Sequence, residues 1–178
     1  VFPLLQENFP FQCARGIYSF SDIFLGKRKK EYHWKKWKKY GLRRVYVGVE
    51  TGSDFLLEKI QKPQSAEEIV TTLRDIKKEG ISLGIILLIG LGGKFYQQEH
   101  IEKTIQLVNK LKLSQGDVIY LSDLQPYPGA EYFSRAEREG WGMLSRQELI
   151  QQRQIFRKAF SSFTTVVIAD YDIRGFLY

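Results

Sequence analysis

Apolar residues recur along this chain with two different periods, and the alternation between them marks out its elements. Val45, Tyr46, Val47 and Val49 form a short, mostly β-branched run with no charge until Glu50. Such a run fits a strand buried on both faces, as in a parallel sheet. It stops at Gly48-Val49-Glu50-Thr51-Gly52-Ser53, after which Phe55, Leu56 and Leu57 open a helical pattern over 54–60 that Lys62-Pro63 ends. Residues 81–89 are the most apolar stretch and predict a fully buried strand, ending in Gly90-Leu91-Gly92-Gly93. Residues 16–20 and 117–124 read as two further strands, and 166–168 as a strand or buried coil. Helical spacing fills the intervals. Over 27–40 it places Trp34, Trp37 and Tyr40 or Gly41 on one stripe; over 97–113 the inner stripe is Ile101, Ile105, Val108 and Leu111 or Lys112. Ser65-Ala66-Glu67-Glu68 is a capping box opening a helix that Gly80 closes, and two more helices are expected over 130–139 and 145–163.

Strand and helix therefore alternate four times, which predicts an α/β fold with a parallel sheet and flanking helices. Right-handed crossovers then bring four strand tips, at 19–22, 48–53, 90–93 and 124–129, to one mouth, where barrel-type and open α/β folds both bind ligands. A carboxylate at such a tip, flanked by glycines, reads as a ligand contact, so Glu50 is the leading candidate. Its alternative role is a cap on the following helix, where Ser53 competes. Asp22 is either a pocket residue or a local turn former, and Tyr127 either walls the mouth or packs.

Composition narrows this picture. The length suits one domain, and no apolar run approaches the roughly 20 residues that span a bilayer. The lone Cys13 rules out an internal disulfide and any multi-cysteine metal site within the chain, and predicts a reducing, cytoplasmic setting. The first residues show neither an initiator Met nor a signal pattern and read as the middle of something longer. The net charge of +7 is concentrated between residues 27 and 44, which hold ten Lys or Arg and one acid. Lys35, Lys36, Lys38 and Lys39 are thus either a solvated face over two buried tryptophans or a contact surface for RNA or an acidic partner. His33 and His100 lie on separate helices with no carboxylate or thiol at metal spacing and read as structural. The loop at 90–93 lacks the GxxxxGK[ST] spacing of a phosphate loop, and no Ser-His-Asp constellation is present.

The succession from Gly41 through Ser53, with Leu56-Leu57 and Lys62-Pro63, resembles the fourth strand of radical S-adenosylmethionine enzymes. The stretches 80–93 and 121–129, the latter ending Pro-Tyr-Pro-Gly, are similar to that family's fifth and sixth strands, and 17–22 to its third. The resemblance implies the second half of a partial (β/α)6 TIM-type barrel over 15–140, an irregular segment over 1–14 and a helical extension over 141–178. It also implies that Glu50, with Ser53, meets the ribose or amino-acid part of S-adenosylmethionine, that Leu88 and Gly90 lie near the adenine, and that Leu124 and Gln125 border it. Gly48 belongs to the same set, because glycines let a flat base approach the backbone. The family's reaction needs a CxxxCxxC loop holding a four-iron four-sulfur cluster. This sequence has no such loop, so the cluster is expected only in a parent protein and this chain alone is not competent. An absent N-terminal half of the barrel is the implied partner, and the edge beside 17–20 is expected to self-associate or be covered.

Overall fold

The computed structural model describes residues 4, 7–9, 16–23, 31–125 and 129–172; Cys13, Tyr127 and the lysines before Glu31 lie outside them. In chain order the elements are β1 (Ile17–Phe20), α1 (Glu31–Lys39), β2 (Leu42–Glu50), α2 (Asp54–Lys59), α3 (Ala66–Lys78), β3 (Ser82–Ile89), α4 (Gly93–Lys110), β4 (Val118–Asp123), α5 (Glu131–Arg138), α6 (Arg146–Phe160) and β5 (Val167–Asp170). The five strands form one parallel sheet in the order β1-β2-β3-β4-β5. Strictly sequential order is that of a barrel wall; a doubly wound sheet would reverse at a switch point. The α/β partial-barrel expectation is met.

Why β2 sits as it does follows from its alternation. Val45, Val47 and Val49 are fully buried against the helices together with Leu83, Ile85, Leu87 and Ile89 of β3 and Ile119 and Leu121 of β4. Arg44, Tyr46, Gly48 and Glu50 face the other side and are only half-buried. The sequence expectation of burial on both faces is therefore corrected. The helices cover one face, while the concave face is lined by larger half-exposed side chains and left partly open. No helix among the described residues is long and apolar enough to cross a membrane.

The expected capping box of Ser65 with Glu68 opens α3, and a second, of Ser145 with Glu148, opens α6, each contributing about 1 kcal/mol. Helix α4 starts at Gly93, earlier than its apolar stripe suggests. The carbonyls of the loop after α5 supply its first acceptors, since Lys94 N donates to Gly142 O at 2.8 Å and Phe95 N to Trp141 O at 3.0 Å. Those amides are consequently spent on the fold, in keeping with the missing phosphate-loop signature. Helix α1 seats Trp34 in the core with Trp37 edge-on at 4.9 Å. Lys38, one of the four candidate nucleic-acid lysines, donates to Gly80 O at 2.5 Å and so closes the end of α3; Lys35, Lys36 and Lys39 are exposed.

The stretch at 166–168, strand or coil by sequence, contributes to β5. Arg153 and Arg157 of α6 hold that edge strand: Arg153 pairs with Asp123 and Asp170, and Arg157 meets Asp170 Oδ2 at 2.9 Å and Ile168 O at 3.2 Å. Phe156 and Phe160 of α6 are fully buried in the same core as the sheet.

Candidate functional site

At the C-terminal end of β2 the ladder breaks. Register with β3 shifts between Gly48 and Glu50, and Glu50 carries a left-handed backbone with φ of 66°. For a residue other than glycine that conformation costs about 1–2 kcal/mol, and such strain gathers where a side chain must be aimed. Here it aims a carboxylate. A Cβ built on Gly48 would stand 2.1 Å from Glu50 Oε1, so the residue two before the acid has to be glycine for the carboxylate to lie where it does.

Glu50 lines a cavity of about 540 Å³ over the strand tips. Leu88, Leu124 and Gln125 share its wall, joined by Lys62, Ser122 and Tyr132. Burial pushes the Glu50 carboxyl above the ordinary carboxylate range, and Lys62, with Nζ 3.7 Å from Oε1, opposes that rise. A second hollow of about 330 Å³ continues along the concave face and is walled mainly by Tyr46, Ile86, Tyr120 and Tyr171.

Four of the sequence-named positions, from three separate stretches, therefore meet at one cavity. The others take different places. Ser53 is buried outside it: its Oγ caps α2 by accepting from Leu56 N at 3.2 Å and donates to Glu99 Oε1 at 2.5 Å. Gly90 is buried with its N–H donating to Gln152 Oε1 at 2.7 Å. Asp22 is exposed and lines neither hollow. Tyr127 lies outside the described residues.

Two contributors escaped the sequence reading. Lys62 looks in sequence like part of a helix stop, and only the fold returns it to Glu50. His100, expected to be structural, is fully buried beneath the tips. Its Nδ1 lies 2.9 Å from Thr51 Oγ1 and its Nε2 2.8 Å from Leu88 O. No sequence signal marked either pairing.

Residues 24–108 match the family model of the Radical SAM superfamily. A tRNA-2-methylthio-N(6)-dimethylallyladenosine synthase of Ehrlichia canis (strain Jake) is 30% identical over 129 residues, 70% of this chain and 29% of that protein. Coproporphyrinogen III oxidase from Escherichia coli, a radical SAM enzyme, superposes with a TM-score of 0.69 at 20% identity, over 90% of this chain and 35% of its own. Elp3 of the archaeon Methanocaldococcus infernus gives 0.63 at 18% identity, over 85% of this chain and 34% of its own. These structural likenesses speak for the fold. The match itself marks part of a radical SAM domain over residues 24–108 of this chain, and the chain spans about a third of the length of these relatives or less.

Members of the superfamily use S-adenosylmethionine with a four-iron four-sulfur cluster. The tip cavity offers a half-buried carboxylate that can accept from hydroxyl donors and apolar walls against which a flat ring can lie. The cluster is not fitted by this sequence, whose single cysteine cannot supply three thiolates. Among the described residues no three His, Cys, Asp or Glu side chains converge as metal ligands.

Proposed function

We propose that this chain forms the later part of a radical SAM barrel and that its tip cavity takes the nucleoside half of S-adenosylmethionine. The observation that carries the reading is the convergence of Glu50, Leu88, Leu124 and Gln125 on one cavity. In this reading the Glu50 carboxylate accepts hydrogen bonds from ribose hydroxyls, and Leu88 and Leu124 flank the base, with Gln125 at its rim. Lys62 balances the charge of Glu50 and stands ready for an anionic group of the ligand. Gly48 enters by leaving the carboxylate its room, and Ser53 and Gly90 by anchoring the tips. When bound, S-adenosylmethionine supplies a sulfonium whose carbon–sulfur bond is opened by one electron. That electron has to come from a cluster held by another segment, so the chain alone is not competent.

Titration calorimetry of S-adenosylmethionine into the complete cluster-bearing protein tests this. Glu50→Ala should weaken binding about tenfold or more while leaving the iron–sulfur absorbance unchanged. Equal affinity in the two proteins overturns the assignment.

The tRNA-modifying relatives favour RNA as the second reading, with the exposed Lys35, Lys36 and Lys39 of α1 touching phosphates. Affinity for RNA should then fall steeply with salt, and replacing the three lysines by Gln should flatten that dependence. A salt-independent affinity removes the reading.

A further inference from the structure

The turn after Glu50 is held from below by one helix. His100 and Thr104, one turn apart on α4, engage it at successive positions. Thr104 Oγ1 accepts from Gly52 N at 3.0 Å, and His100 Nδ1 meets Thr51 Oγ1 at 2.9 Å. Thr51 Oγ1 in turn accepts from Ser53 N at 3.1 Å. On its other side the imidazole reaches β3. The β2–β3 ladder ends at the Glu50–Leu87 pair, and the next carbonyl of β3, Leu88 O, is taken by His100 Nε2 at 2.8 Å. A carbonyl only accepts, so Nε2 carries the proton and Nδ1 accepts from the Thr51 hydroxyl. One neutral ring thereby bridges the two strand tips where their own ladder stops. Phe156 closes over it edge-on at 5.6 Å.

We propose that His100 is a positioning residue for the tip cavity, fixing Thr51 beside Glu50 and the carbonyl of Leu88 so that the carboxylate and the apolar wall keep a set separation. Both bonds end on residues that adjoin or form the cavity wall, and an aliphatic side chain could fill the space but make neither. Burial lowers the His100 pKa from 6.5 to about 4, which keeps the ring in the neutral form that this bridge needs. The proposal rests on the reading that the cavity takes S-adenosylmethionine, and its test separates the two.

In the complete protein, His100→Leu, His100→Gln and Leu73→Ala are compared. The last removes fully buried core far from the tips in sequence and serves as a match for lost stability. Two quantities are read: the midpoint of the Glu50 carboxyl by carbon-13 NMR, assigned against Glu50→Gln, and the dissociation constant for S-adenosylmethionine. His100→Leu should return the Glu50 midpoint toward the ordinary carboxylate range and weaken binding about tenfold. His100→Gln, whose amide can donate and accept, should keep most of both, and Leu73→Ala should move neither. If His100→Leu fails to fold, Thr51→Val removes the same bond from the other side and carries the same expectation. An unmoved Glu50 midpoint, or an equal change in Leu73→Ala, overturns the proposal. A moved midpoint with unchanged affinity upholds the positioning role and discards the ligand reading.

Discussion

Glu50 is held in a conformation and a protonation balance that folding alone would not choose. Its backbone is left-handed, and burial raises its pKa against the opposing pull of Lys62. A carboxyl with a raised folded pKa binds its proton more tightly in the native state than in the unfolded chain. Stability therefore falls as pH rises from the ordinary carboxylate range through the raised value, and the native state carries the ionised group at a cost above it. Glu50→Gln should remove that cost. In thermal unfolding near pH 7 the variant should melt higher than the wild type. Below the carboxylate range the two proteins should melt together. A variant that melts lower at both pH values would mean that the pair with Lys62 outweighs the burial. The same substitution should weaken S-adenosylmethionine binding, so the gain in stability and the loss in affinity have one cause.

At the scale of elements, what could be read in advance depended on how local the cause was. Capping boxes are complete within four residues, and the one read at Ser65–Glu68 forms, while the equally local one at Ser145–Glu148 was passed over. The β-branched run of β2 named a strand, but its two faces have different fates because one helical layer covers only Val45, Val47 and Val49. The start of α4 depends on acceptors from Trp141 and Gly142, far along the chain, so the apolar stripe placed it late. That stripe also hid its chemistry. His100 and Thr104 lie on the buried side among Ile101, Leu107 and Val108, and a polar residue on an apolar face shows its purpose only when its partners are known. Thr51 and Leu88 come from two different strands. Glu50 was legible for the opposite reason: strand, glycines and acid are all contained in one short stretch.

For the whole molecule the decisive feature is a barrel wall with two ends. Among the described residues β1 and β5 are the sheet edges, and on β1 Tyr18 and Phe20 are 55% and 62% exposed. The Phe20 ring lies tilted against Tyr46 with centroids 5.1 Å apart, so the edge runs straight into the aromatic concave face. Among the described residues no strand pairs with the outer side of β1; an edge strand with large apolar side chains invites another strand, and in a closed or longer barrel wall that strand comes from the same sheet. We propose that the β1 edge is a pairing surface, filled by further barrel in the parent protein and by a second copy when this chain is alone. Sedimentation velocity of the isolated chain should then show a mass that rises above one copy with concentration. Phe20→Lys, which puts a charge on the edge and removes the exposed ring, should lower that association about tenfold. The expectation fails if the wild-type chain sediments as a single copy at every concentration. It fails equally if Phe20→Lys associates as strongly as the wild type, because the contact would then lie on another surface.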